Sequence, residues 1–246
     1  MDSTLLIIFI GIFIGLVKGG LTGPIGGAVI LPLLSQTMSV PQAAGITLPL
    51  LIVGDIFAMR FYWREWDIRL VKLLLPAAIV GIVIGISLLV ALPDNALRVL
   101  LGIFTILIII YKFVGDTLTK VEYQHKNWHG YLAGFASGLT SALANLGGPP
   151  ITAYLLLQKL KPTAFVGTMT LFFFIVNLLK VPGFLSAGFI DIPTLISIAW
   201  VIPLIPVGVW IGRFAIGKIN RLWFERAMMV LLLWASVNLL LSGLSG

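Results

Sequence analysis

The sequence has no cysteine, only two histidines and little charge: Asp, Glu, Lys and Arg make up 10% of its 246 residues. Without thiols there are no disulfides and no thiol chemistry. So little charge excludes an ordinary soluble domain, where charged residues supply about a quarter of the chain. No HExxH, GxSxG or phosphate-binding lysine loop occurs, so catalysis has no base and nucleophile to rest on, and no cofactor is expected. Glu122, His125 and His129 have helix-like i, i+3, i+7 spacing. They lie in a short linker without a further ligand and read as a solvated loop, not a metal site.

What is present is apolar: 59% hydrophobic residues and a mean hydropathy of +1.11 place the chain in a bilayer. Charge-free runs at 73–93, 162–179, 192–212 and 227–246 can cross or nearly cross a core about 30 Å thick, and weaker segments at 40–59 and 96–114 join them. Residues 4–17 lack a basic leader and a small-residue cleavage site, so they read as retained membrane structure. The net charge of +7 is spread between apolar segments without forming a patch. That points to membrane orientation and not to nucleic acid. Tyr and Trp at 62, 63, 66, 111, 123, 128, 131 and 223 mostly flank the runs as an interfacial belt.

An internal repeat organises the chain. Gly20-Leu21-Thr22 matches Gly138-Leu139-Thr140, Gly26-Gly27 matches Gly147-Gly148, and Pro41, Thr47, Asp67 and Arg98 match Pro162, Thr168, Asp191 and Arg226. The offset drifts only from 118 to 128. Residues 1–114 and 127–246 therefore read as two copies, joined by a polar linker at 115–126, within one transport unit. If every apolar segment crossed, the basic residues would divide almost evenly between the two faces. If 4–34 and 128–158 instead enter and return on one side, thirteen of the 16 Lys and Arg share a face, with Arg98 and Lys180 opposite and Lys18 inside the first broken segment. One hairpin plus three crossings is an odd number, so the second copy is inverted. The expected fold is an all-α integral membrane protein of two inverted repeats, each a broken, re-entrant helix hairpin plus three transmembrane helices. A long tilted helix with a glycine kink is the alternative for each hairpin.

Broken main chain inside lipid is tolerated only where protein or a wet cavity satisfies it. Gly148-Pro149-Pro150 is a good helix start, and Pro24 with Gly26-Gly27 does similar work in the first copy. Two such N-termini would form an anion receptor. Lys18 would face the anion or snorkel to the interface. Thr22, Thr140, Ser141 and Asn145 would donate to the anion or merely join helices, and Asn145 would also cap the second arm. Asp55 would carry a coupling proton or cation, or pair with Lys18 or Arg60, and Asn177 stands near its equivalent place. Thr47 and Thr168 would make paired contacts across the axis or bond back within their helices. Gln36 and Gln158 flank the arms.

The segments GLVKGGLTGPIGGAVILPLL and GFASGLTSALANLGGPPITAYLL, each followed by a proline-led helix with a central Thr, resemble the sulfite exporter TauE/SafE family of bacterial permeases. The likeness covers nearly the whole chain. It implies export of sulfite, sulfoacetate or related organosulfonates across the bacterial cytoplasmic membrane. Carried over onto this sequence, the matching positions are Gly20, Thr22, Gly26, Gly27, Gly138, Thr140, Asn145, Gly147, Gly148 and Pro149. Lys18 stands where the second copy has Ser137, and Asn145 has no counterpart in the first. The expected function is secondary transport of a small anion by alternating access, with an anion channel or a carboxylate transporter as alternatives and an enzyme ranked last. The expected partners are the anion and the lipid bilayer, with a homodimer open as an assembly.

Overall fold

The computed structural model describes residues 3–19, 27–117, 126–158, 160–215 and 221–245, and among them the chain is helical with no strand. Gly20, Thr22, Pro24, Gly26, Glu122 and His125 lie outside the described residues. The helices are α1 (Ser3–Lys18), a 3-10 turn (Gly27–Val29) leading into α2 (Ile30–Leu34), α3 (Val40–Phe61), α4 (Ile68–Ala91), α5 (Asp94–Thr117), α6 (Asn127–Ala144), α7 (Gly148–Leu156) and α8 (Pro162–Ser186). There follow α9 (Ile192–Ile198), a 3-10 turn (Ala199–Val201), α10 (Leu204–Ala215) and α11 (Arg221–Leu244). Among the described residues, α3, α4 and α8 are long and apolar enough to cross a membrane, and α9 with α10 makes a fourth such span, bent by 42°. The run at 192–212 is therefore long enough to cross, as its length implies, but it is broken by a bend that the charge pattern does not mark. Pro203 lacks an N–H and its ring crowds the preceding turn, so the helix breaks there although no charge marks the place.

Local chemistry fixes the helix starts. Ser39 and Gln42 form a reciprocal capping box ahead of α3, with Pro41 in its first turn. Asp67 caps α4 by accepting from Arg69 N at 2.9 Å, and its own N–H donates to Thr168 Oγ1 at 2.9 Å. These bonds, with Thr163 donating to Glu65 at 3.0 Å, gather the end of α3 and the starts of α4 and α8 at one end of the bundle. At the opposite end Arg98 pairs with Asp94 at 2.6 Å and donates to the carbonyls of Ser35 and Met38.

Two glycine seams hold the bundle. Gly81 and Gly85 of α4 meet the backbone of α6 at Phe135 and Leu139, while Gly134 and Gly138 of α6 lie on the carbonyls of Leu74 and Ala78. The second seam sets Gly11, Gly15 and Gly19 of α1 and its cap against Val201, Gly208 and Gly212. At these glycines a side chain would run into the neighbouring helix, into its main chain at all but Gly11, which meets the Val201 side chain. Small residues four apart let helices approach this closely, a device suited to lipid, where hydrophobicity alone does not drive helices together.

Residues 128–158 do not form one kinked rod. Helix α6 stops at Asn145, whose φ of +52° puts it in the left-handed region that Asn tolerates, and Leu146 N closes the turn on Thr140 O at 3.1 Å. The chain then doubles back: Ser137 Oγ donates to Gly147 O at 2.7 Å, and Tyr154 lies beside Gly130. The first arm runs along α4 from Gly130 beside Leu73 to Ala142 beside Gly85, which carries the hairpin tip past the middle of that helix.

Candidate functional site

Between the hairpin tip, the end of α1, and helices α3 and α8 lies a cavity of about 190 Å³. Its polar lining comes from Lys18, Asp55, Ser141, Asn145, Gly148, Thr170 and Asn177, and its apolar wall includes Phe165, Met169 and Phe173 of α8. Drug-sized ligands fill about 300–1,000 Å³, so this space suits a much smaller guest.

Lys18, at the end of α1, forms an ion pair with Asp55 of α3 and also lies 5.8 Å from the Phe173 ring centre. Its partner is thus Asp55 and not the interface, and Asp55 pairs with Lys18 and not with Arg60. Gly54 leaves room for the lysine stem, since a Cβ there would stand 3.0 Å from Lys18 Cγ. Asn177 Nδ2 donates to the second oxygen of the buried Asp55 at 2.8 Å. Both carboxylate oxygens are therefore engaged, as a charge away from water requires.

A second polar chain adjoins the first. Lys180, one turn beyond Asn177 on α8, is fully buried. Its Nζ donates to Asn145 Oδ1 at 2.7 Å, Ser141 O at 3.1 Å and Ser141 Oγ at 3.2 Å. Asn145 Nδ2 donates to Thr47 Oγ1 at 3.0 Å. The amide orientation follows from Thr47: its hydroxyl hydrogen goes to Ala43 O at 2.6 Å, so its oxygen accepts and Asn145 Oδ1 must face the lysine. This corrects two expectations. Lys180 does not lie at the outer face with Arg98, and Asn145 closes α6 without capping α7, whose N-cap is Gly147.

The start of α7 is poorer in donors than a generic helix N-terminus, because Pro149 and Pro150 have no N–H. Gly148 lines the cavity, whereas Pro149 lines a separate apolar recess with Thr140, Leu146 and Pro150. Thr140 Oγ1 bonds back to Ala136 O at 2.7 Å. Gly147 packs on Ser137, and Gly27 opens the 3-10 turn before α2. Thr168 holds Asp67 N and does not meet Thr47. Gln36 bonds to the carbonyls of Pro32 and Ala235, and Gln158 to that of Tyr154. The structure thus gathers Lys18, Asp55, Ser141, Asn145, Gly148 and Asn177 around one space, sets Thr47 and Lys180 behind Asn145, and places Thr140, Pro149 and Thr168 apart. Among the described residues no group of His, Cys, Asp or Glu is arranged to hold a metal ion.

A broken hairpin whose tip meets a lysine, a carboxylate and an amide from the helices around it is matched by family evidence over almost the entire length. The family described as sulfite exporter TauE/SafE matches residues 7–239. The chain belongs to that family. No curated protein and no solved structure matches it. TauE/SafE is a transporter family and not an enzyme family, which, with the apolar helices, makes this a membrane protein of the sulfite and anion exporter kind.

Proposed function

We propose that this TauE/SafE protein is a multi-pass secondary transporter of the bacterial cytoplasmic membrane that exports a small anion, such as sulfite, sulfoacetate or another organosulfonate, by alternating access. The observation that carries the proposal is the cavity at the hairpin tip, which brings a lysine, a glycine-led helix start and hydroxyl and amide side chains against an apolar wall. In this reading Lys18, Ser141, Asn145 and Gly148 hold the anionic group. Asp55, held by Asn177, is the coupling group, because an anion approaching Lys18 competes with the carboxylate already there.

Two re-entrant repeats of opposite orientation suit the same reading. A long helix, a short helix and three further helical segments follow one another twice, over 3–117 and 127–244. The first hairpin returns to the end of the bundle where Arg98 binds Ser35 and Met38, whereas the second leads into α8 at the end where Glu65 meets Thr163. The second end carries the linkers richest in Lys and Arg, which favours it as the cytoplasmic face. The cavity wall runs from Asn177 toward Phe165, close to that face. This suits loading from the cytoplasm.

The test is efflux from proteoliposomes loaded with sulfite or sulfoacetate, for wild type and for Lys18→Ala and Asn145→Ala. Saturable efflux that both substitutions depress supports the reading. Efflux indifferent to both would refute the site, and uncoupled single-channel current would refute the carrier.

A further inference from the structure

We propose that Lys180, which touches no substrate, supplies the one unbalanced positive charge of the buried core and thereby sets the cavity for a singly charged anion. The inference rests on the anion-transport reading and narrows it to singly charged forms, hydrogen sulfite or a monosulfonate, over the dianions sulfite and sulfoacetate. Among the described residues, the charges at or beside the cavity are Lys18, Asp55 and Lys180, and the Lys18–Asp55 pair cancels. Among the described residues Lys180 has no carboxylate partner: its acceptors are an amide oxygen, a main-chain carbonyl and a hydroxyl, matching in number the three donors of an ammonium. A fully buried cation held only by neutral oxygens is costly unless a counter-charge joins it.

Position supports this as well as charge. Lys180 sits against the C-terminal carbonyls of α6, the negative pole of that helix, while the positive pole of α7 faces the cavity through Gly148. An anion at the tip would otherwise meet both poles. Lys180 neutralises the repelling one, and Ser141 and Asn145, which hold it, themselves line the cavity. One negative charge brought by the guest makes the core neutral; two would leave it as unbalanced as before, with the opposite sign.

The probes are methanesulfonate, singly charged, and sulfate, doubly charged, titrated calorimetrically into the full-length protein in lipid nanodiscs. Wild type should bind methanesulfonate more tightly than sulfate. Lys180→Met should weaken methanesulfonate on the order of tenfold, the scale expected on losing one full charge in a partly screened interior. Asn145→Asp, which sets a carboxylate against Lys180, should do the same. Adding Asp55→Asn to either variant restores the net charge and should recover methanesulfonate affinity, which a purely structural role for Lys180 would not produce. Asp55→Asn alone should shift preference toward sulfate. Folded Lys180→Met or Asn145→Asp protein with undiminished methanesulfonate affinity, or a loss that Asp55→Asn does not recover, overturns the inference alone. Should Lys180→Met fail to fold, Asn145→Asp with its Asp55→Asn partner decides. Wild type that binds neither anion overturns the transport reading together with this one.

Discussion

Removing Lys18 should cost more stability than removing the carboxylate it pairs with. Asp55 is fully buried, whereas the Lys18 side chain keeps 16% of its surface exposed and borders the cavity. In Lys18→Met the carboxylate retains only Asn177, and stranding one member of a buried pair costs about 3–5 kcal/mol. The surviving amide bond places the loss near the lower bound, about 3 kcal/mol, or roughly 6–12 °C in Tm for a chain of this size. In Asp55→Asn the freed ammonium can draw water from the cavity, so the cost should stay near that of a partly solvated pair, about 1 kcal/mol. The double variant Lys18→Met, Asp55→Asn strands neither member of the pair, leaves the core with the net charge it had before, and should regain most of the loss. Thermal unfolding in one detergent at one scan rate, followed by the fluorescence of the seven tryptophans, measures all four proteins. Equal losses in the two single variants, or a double variant that loses their sum, would refute the ion-pair account.

The glycine seam gives a second prediction: Gly138→Val places a side chain on the Ala78 carbonyl, and overpacking of this kind costs about 1–3 kcal/mol, read as a lowered Tm and folded yield. Gly188 has a φ of +72° and open space around it, so Gly188→Ala should cost about 1–2 kcal/mol through its backbone alone and leave anion binding as it was. For topology, single cysteines introduced into this thiol-free chain at Thr37 and Ser186 should react with an impermeant reagent from one side of the membrane, and those at Glu65 and Lys161 from the other. Labelling of 161 from the side of 37 would remove the re-entrant reading.

The hairpin tip was legible in the sequence because its signals are local. A left-handed Asn followed by Gly147-Gly148-Pro149-Pro150 ends one helix and starts another within four residues, whatever surrounds them. Lys180 was not legible in the same way. It follows the charge-free run 162–179 and so resembles the polar end of a span, and its acceptors lie 35 to 39 residues earlier in the chain. A signal was nonetheless present: residues 181–190 are also free of charge, which places Lys180 inside a longer apolar stretch. The bend at Pro203 was missed because breaks were sought at glycines. The seams were missed because Gly81 with Gly85 and Gly134 with Gly138 acquire meaning only when paired with each other.

That pairing bears on how such a transporter moves. The seams do not join each hairpin to its own part of the chain: α6 is fastened to α4, and α1 to α10. Main chain packed on main chain has no side-chain slack to absorb sliding, so each hairpin should travel with the helix it is seamed to. The moving bodies would then be α4 with α6 and α7, and α10 with α1 and α2, each mixing elements from both sequence repeats. Of the polar contacts between these bodies and the central helices, Lys18 to Asp55 and Asn145 to Thr47 and Lys180 lie at or beside the cavity, while Asp67 N to Thr168 lies at the end of the bundle. If the chain carries an anion as proposed, a guest that competes for Lys18 or Asn145 would act on the bonds that hold each hairpin to α3. Loading the site and loosening the bundle would then be the same event.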